Sequence, residues 1–355
     1  MHTNSIDTAK LDAMVARAIS DISAGYGGVM VSLGNRLGLY KALAGAGPLT
    51  PRELAARTGC AERYVQEWLN SQVAGGYVAY HAISHTYELT PEQALVLADE
   101  ESPVFIPNAW SVPASMWADE EKAIEAFRTG KGIAWGDHDG RLFCGVAAFY
   151  RNAYKASLVS QWLPSLDGVV DKLEAGARVA DVGCGHGHST VLMAQAFPKS
   201  RFVGIDGHER SVEEARGVAA KGGVAQTATF VTAKADNYPG REYDLICFFD
   251  CLHDMGDPVA AAAHAAKAIA RDGTVMLIEP YASDLVEENV SPVARMYYAA
   301  STTICCAHAI SEGGRMVLGA QAGEARLAEV FRKAGFSRFR CAFQTPFNLV
   351  LEARL

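Results

Sequence analysis

The sequence predicts an α/β fold: a doubly wound parallel sheet in the C-terminal half, preceded by a helical half that closes in a small winged helix. Three observations predict it. From Gly176 onward, short apolar runs of strand character alternate with helical periods, the pattern of strand–helix–strand units. The run Asp181-Val-Gly183-Cys184-Gly185-His-Gly187 closes the first of those strands with glycines that let the chain turn sharply into a helix. Residues 28–90 read as short helices followed by an alternating hairpin. At 355 residues the chain has room for two domains, or for one large α/β unit with an appendage. The expected boundaries are 1–100 for an N-terminal helix and winged helix, 101–165 for a helical connector, and 166–355 for the sheet domain.

Composition narrows the classes. Half the residues are hydrophobic, 20 % are charged, and mean hydropathy is +0.04, which supplies a buried core and excludes a mainly disordered chain. A net charge of −8 and a pI near 5.7 argue against a general electrostatic grip on nucleic acid or anionic lipid. The uncharged run Ser102–Ala118 carries Pro103, Pro107 and Pro113, which would break a membrane-spanning helix. The N-terminus lacks a basic-then-apolar signal layout, so the expected compartment is the cytoplasm. Eight cysteines without a CxxC pair read as reduced core residues, with vicinal Cys305–Cys306 noted as a soft-metal or redox option.

The first helix is announced by Leu11, Met14, Val15, Ala18, Ile19 and Ile22, one apolar stripe at helical spacing. Such a stripe needs a partner, either the chain's own domain or a second subunit, and a homodimer is expected. Leu33–Leu43 reads as a short apolar helix. Leu49-Thr50-Pro51 supplies an N-cap and a proline at the first helical position, opening a helix through Arg57. Thr58-Gly59-Cys60 is a turn, Ala61–Val73 the next helix, and Tyr77–Tyr80 with Thr86–Leu89 the hairpin. A DNA reader is the sharp reading of this module, but its charge opposes it. Arg36, Lys41, Arg52, Arg57 and Arg63 face Glu53, Glu62, Glu67 and Glu88, a net of +1, and the would-be recognition helix is net −1. Dimerisation and cover for a site fit better. Trp110, Trp117, Trp135 and Trp162 crowd the connector, a candidate substrate lid. Gly130–Gly145, with Asp137-His138-Asp139, is expected as a solvated loop, and Tyr150–Trp162 as a helix.

In the sheet domain the expected strands are Arg178–Val182, Arg201–Asp206, Ala228–Thr232, Tyr243–Asp250 and Gly273–Glu279. Helices are expected at Ser189–Ala196, Ser211–Lys221, Pro258–Ala270 and Gly323–Ala334. Arg338–Phe343 and Asn348–Ala353 close the order as an antiparallel hairpin.

The glycine turn has company. Asp206 ends the second of these strands, 19 residues after Gly187, and can accept two hydrogen bonds from a ribose diol. A dinucleotide and S-adenosylmethionine both fit that much. A dinucleotide fingerprint wants a third glycine where this chain has His188. Asp181, just before the turn, suits a methionine ammonium rather than a pyrophosphate, and Asp236 in Ala235-Asp236-Asn237 suits an adenine amine. The expected cofactor contacts are Asp181, Gly183, Cys184, Gly185, Gly187, Asp206, Gly207, His208, Ala235, Asp236, Asn237, Phe249 and Asp250.

On these residues, over about 176–355, the chain resembles the class I S-adenosylmethionine-dependent methyltransferases, which implies a Rossmann-like seven-stranded sheet. The preceding winged helix is similar to the arrangement in plant and bacterial natural-product O-methyltransferases. Phe248-Phe249-Asp250-Cys251-Leu252-His253-Asp254-Met255-Gly256-Asp257 resembles their His-Asp-Trp-x-Asp segment, with Met255 at the Trp position. The resemblance implies His253 as general base. Ser291-Pro-Val-Ala-Arg295 and Thr345-Pro-Phe-Asn-Leu-Val-Leu-Glu352 look closer to a bacterial and nematode group associated with thiol or unknown acceptors. Methyl transfer from a sulfonium is an in-line displacement, so alignment of nucleophile, methyl and sulfur is the protein's main task. A hydroxyl acceptor also needs its proton removed, which an imidazole suits. Glu279 or Asp254 would orient His253. Trp110, Tyr154, Arg295 and Tyr298 are candidate contacts to a small-molecule acceptor, hydroxyl or thiol. Asp250, His253, Asp254 and Asp257 are not spaced as a methyltransferase cation site, and no metal is expected. The alternative is a winged-helix DNA-binding regulator that senses S-adenosylmethionine.

Overall fold

The structure, a computed structural model, describes residues 6–355. The chain divides into two compact units, residues up to 114 with 144–152, and residues 115–143 with 153–355.

In the first unit, helix α1 runs Thr8–Arg36, with the Asp7 carboxylate accepting from the Lys10 N–H. It absorbs the start of the expected Leu33–Leu43 helix. The break falls at Gly38, left-handed at φ 70°, after which α2 (Leu39–Leu43) begins. Of the four glycines in α1, Gly25 and Gly27 face open space, and Gly28 and Gly34 are covered by aromatic rings. A Cβ at Gly28 would stand 2.2 Å from the Trp110 ring, and one at Gly34 2.4 Å from Trp68. Helix α3 (Pro51–Thr58) opens on a full capping box between Thr50 and Glu53, with Pro51 in the first turn. Helix α4 (Glu62–Ala74) lays Val65, Trp68 and Leu69 into a core with Leu39, Tyr40, Leu43 and Leu54. Strands β1 (Ala79–His81) and β2 (Thr86–Glu88) make the wing, and α5 (Pro91–Leu97) starts on a second capping box, Thr90 with Gln93. The apolar stripe of α1 stays uncovered: Met14 is 64 % exposed, Ile19 and Ile22 62 % each.

Helix α6 (Ser111–Ala118) begins at the boundary and α7 (Glu120–Thr129) follows in the second unit. Helix α8 spans Arg141–Ser157, so Arg141–Gly145 is helical where a loop was expected, and the helix expected from Tyr150 starts earlier. Its one interior glycine, Gly145, fits because a Cβ there would meet Val112 at 2.9 Å. A π-helical turn, Leu158–Trp162, and α9 (Val169–Ala175) lead into the sheet.

Then β3 (Arg178–Val182), α10 (His188–Ala196), β4 (Arg201–Asp206), α11 (Glu209–Lys221), β5 (Ala228–Thr232), β6 (Tyr243–Phe249), α12 (Pro258–Ala268) and β7 (Ile269–Pro280) alternate as expected. Helices α13 (Pro292–Ala300), α14 (Cys306–Ser311) and α15 (Gly323–Lys333) precede β8 (Arg338–Gln344) and β9 (Asn348–Arg354). The seven strands of this sheet lie in the order β5-β4-β3-β6-β7-β9-β8. The first five are parallel, and β9 inserts antiparallel between β7 and β8. Strand β7 starts earlier than expected, at Ile269, because Ile269 pairs with Tyr243 ahead of a register shift. Alanines 261, 262, 265 and 268 let α12 approach the sheet, and Phe331 of α15 fills the same core beside Val275, Leu277 and Leu351.

Candidate active site

The carboxyl edge of the sheet gathers the chemistry-bearing residues, as open α/β sheets do. After β3 the chain turns through Gly183, Gly185 and Gly187, all left-handed, at φ 75°, 50° and 74°. The N–H groups of Gly183 and Cys184 both reach the Ile205 carbonyl, lacing the turn to β4. Two of these glycines are required by packing. A Cβ at Gly183 would lie 2.6 Å from Cys251 Sγ, and one at Gly187 2.7 Å from the Phe230 ring. At Gly185 a Cβ would meet open space, so this glycine faces the crevice.

Asp206, at the tip of β4, accepts the Gly185 N–H on Oδ2 at 2.9 Å and the His208 N–H on Oδ1 at 2.8 Å. Burial raises its pKa above the ordinary range, the two N–H bonds opposing. Each carboxylate oxygen keeps capacity for a further donor. Asp236 is exposed after β5, between half-buried Ala235 and exposed Asn237. An acid with spare acceptor sites, a glycine turn open to the crevice and an exposed acid beyond the next strand fit a nucleoside-sized group. Cys184 is buried and Gly207 exposed. Asp181 is the next-to-last residue of β3, and its Oδ1 is buried without a hydrogen-bond partner. The residue is fully buried, and its Oδ2 takes the Ser189 and Thr190 hydroxyls at 2.7 and 2.6 Å, tying the start of α10 to β3. Burial lifts its pKa to about 6 despite those hydroxyls.

Strand β6 lies between β3 and β7, so the residues at its carboxyl end sit beside the glycine turn. Asp250 is left-handed, φ 50°, a strained position for a non-glycine residue. Its N–H bonds the Ile278 carbonyl at 2.8 Å. Tyr154 donates to its Oδ2 at 3.3 Å and Asn348 to its Oδ1 at 3.1 Å. Asn348 is in place because β9 pairs it with Pro280 at the end of β7. Burial and the Glu279 carboxyl push the Asp250 pKa well up, against His253 and Tyr154. Phe249 is buried, its ring 5.6 Å from Tyr154.

The short turn Leu252–Asp254 brings His253 against Glu279, and His253 Nδ1 is hydrogen-bonded to Glu279 Oε2. Both are buried, at 3 % and 1 % exposure. Burial alone would depress the imidazole pKa, but Glu279 and Cys305 outweigh it and hold the pKa well above the ordinary value. Cys305 ends a π-helical turn, Ser301–Cys305, close enough to the imidazole to influence its charge. Asp254, half-buried, is not the hydrogen-bond partner of His253, and burial raises its pKa to about 7.

Of the acceptor candidates, Tyr154 is buried on Asp250, while Arg295 and Tyr298 are exposed on α13. Trp110 belongs to the first unit, over Gly28. Sequence reasoning missed Asn348 as an Asp250 partner and Cys305 as a neighbour of His253. Both meet their partners only through strand register and chain return. It also placed His138 in solvent, whereas His138 is buried against Asp119.

Residues 25–99 match the family model of the Rv2258c-like winged HTH domain, and residues 173–335 that of a methyltransferase domain. A stretch of 107 residues is 33 % identical to the 27-O-demethylrifamycin SV methyltransferase of Amycolatopsis mediterranei (strain S699), covering 30 % of this chain and 39 % of that protein. The mitomycin 7-O-methyltransferase MmcR superposes with a TM-score of 0.69 at 21 % identity, over 98 % of this chain and 100 % of its own. Human N-acetylserotonin methyltransferase, solved in complex with SAM, superposes with a TM-score of 0.68 at 17 % identity, over 100 % of this chain and 99 % of its own.

Proposed function

This chain joins a winged helix-turn-helix domain of the Rv2258c-like type to a methyltransferase domain of the class I fold, and on that premise we propose that it transfers the methyl group of S-adenosylmethionine to an oxygen of a small-molecule acceptor. The observation that carries this reading is the buried His253–Glu279 pair, placed one strand from the glycine turn.

When bound, S-adenosylmethionine supplies a methyl group activated on a sulfonium. Asp206 would hold the ribose hydroxyls on its free lone pairs, Asp236 would accept from the adenine amine, and the turn at Gly185 would receive the methionine end. Asp181 acts behind the turn, fixing α10 through Ser189 and Thr190. Glu279 keeps the proton of the neutral ring on Nδ1, so Nε2 would take the acceptor's proton as the acceptor oxygen bonds to the methyl carbon and the methyl–sulfur bond breaks to release S-adenosylhomocysteine. A thiol, part-ionised near neutral pH, has less need of such a base. The net −1 charge of the would-be recognition helix supports an enzyme over a DNA-binding regulator. A second copy of this chain is the partner proposed for the bare face of α1.

Calorimetry with S-adenosylhomocysteine and turnover of a phenol, thiol and carboxylate panel test the reading together. His253→Ala is expected to keep S-adenosylhomocysteine affinity and to lower turnover by about 10²–10⁴. Full turnover in that variant removes His253 as base. Absence of S-adenosylhomocysteine binding by the wild-type chain removes the function.

A further inference from the structure

The turn that carries His253 is laced to a distant stretch of the same unit. The Gly319 N–H donates to the His253 carbonyl at 3.1 Å, and the Arg315 N–H to the Gly256 carbonyl at 2.9 Å. Glu312 Oε2 accepts the Gly256 N–H at 3.0 Å. Residues 312–320 thus run along residues 253–256 and hold the backbone of His253, while Glu279 holds its ring.

The far end of that stretch hangs on one hydroxyl. Ser301 Oγ accepts the Ala320 N–H at 2.9 Å and lies 3.5 Å from Cys306 Sγ. Gly319 is left-handed, at φ 73°, and a Cβ there would stand 2.5 Å from Ser301 Oγ, so loop backbone and hydroxyl are in close contact. Helical serines and threonines often bond back to the carbonyl four residues earlier. Thr302 and Thr303 do so, to Tyr298 and Ala299 at 2.8 and 3.4 Å. Ser301 is buried and instead takes a donor 19 residues further along the chain. Its carbonyl opens the π-helical turn by accepting the Cys306 N–H. Turns of this kind insert an extra residue and recur at functional sites. Cys305, the last residue of the turn, is close enough to the imidazole to influence its charge. Ser301 therefore joins two supports of His253, the loop on its carbonyl and the turn that carries Cys305.

We propose that Ser301 is a positioning residue for His253: its hydroxyl holds the 319–320 loop whose N–H fixes the His253 carbonyl, and so sets where the imidazole sits against Glu279. Its bearing on turnover rests on the methyltransferase reading; the tether itself rests on the geometry of the loop. The groups that act on the imidazole are Glu279 on β7, Cys305 on the π-helical turn, and Asp250 and Asp254 in its own segment. In the full-length chain the His253 resonances, assigned by their loss in His253→Ala, are titrated by NMR, and turnover is measured with the acceptor panel. Ser301→Ala leaves the imidazole buried but loosens it from Glu279 and Cys305, so its titration midpoint is expected to fall by about 0.5 in pH or more. In the same variant kcat is expected to fall about 10-fold, with acceptor KM and S-adenosylhomocysteine affinity within about 2-fold. Ser301→Thr, which keeps the hydroxyl, should keep most of both the midpoint and kcat. Thr302→Ala, which removes a hydroxyl bonded within its own helix, should change neither. Where Ser301→Ala does not fold, Ser301→Cys, a weaker acceptor, is read in its place and should show the same fall in smaller measure. An unmoved midpoint overturns the proposal whether or not the melting temperature falls, since a lost packing contact alone leaves the imidazole on Glu279. A moved midpoint together with full turnover in His253→Ala keeps the tether and ends the base assignment, so the two readings fail separately.

Discussion

At the scale of single residues the site is a set of buried ionisable groups that set one another's protons. His253 carries the clearest consequence. Burial opposes its charge, but Glu279 and Cys305 favour it more, so the imidazole holds its proton to higher pH than an ordinary histidine. A base must be neutral to act, so kcat/KM is expected to rise with pH along a limb displaced above about 6.5, the unperturbed imidazole value. Glu279→Gln removes the main group raising that pKa and should move the limb to lower pH. A pH–rate profile of both proteins checks this; an unmoved limb in the variant would mean that Glu279 does not set the base. His253 and Glu279 were legible in the sequence, because each ends or follows a strand run whose neighbours are visible. Asp181 was legible as an acid before the turn, but not as a buried prop, since its partners Ser189 and Thr190 turn back onto it only once α10 is folded.

At the scale of elements the strand-to-helix turn after β3 separates two duties of glycine. Gly183 and Gly185 are both left-handed, so a side chain costs either position about 1–2 kcal/mol. Only Gly183 also faces a packed neighbour, Cys251 Sγ at 2.6 Å. Gly183→Ala is expected to lower the melting temperature by clearly more than Gly185→Ala. Gly185→Ala is expected instead to weaken S-adenosylhomocysteine binding about 10-fold or more, because its methyl enters the crevice. Scanning fluorimetry and calorimetry on the two variants read this contrast, and equal melting losses would refute it. The N-cap Thr50 with Pro51 shows why α3 could be placed from sequence, whereas α5 was not placed, although Thr90, Pro91 and Gln93 are a local signal of the same kind. The length of α1 and the early start of α8 were not local. Gly28, Gly34 and Gly145 read as breakers in sequence, yet each lies inside a helix with a packed neighbour where its side chain would be: Trp110, Trp68 and Val112.

At the scale of the whole molecule the stripe of α1 is an uncovered apolar surface. Met14, Ile19 and Ile22 lie on one exposed helix face, and an apolar face of that length is a common site of association. Light scattering is expected to give twice 37.9 kDa for the wild-type chain, and the paired change Ile19→Asp and Ile22→Asp should return it to 37.9 kDa. A wild-type mass of one chain would exclude the second copy as partner. No helix among the described residues is long and apolar enough to cross a membrane.

The sequence by itself determined what repeats or is chained locally: the order of strands and helices, the capping boxes, the glycine turn, and the acids and histidine that close successive strands. Period and spacing encode these, because neighbours in sequence stay neighbours in space. Only the tertiary structure decided which of these residues meet. Strand register set Asn348 on Asp250, a returning turn put Cys305 near His253, and helix packing buried His138 on Asp119. Those contacts join residues far apart along the chain, and the burial that shifts their protons exists only when the core has closed around them.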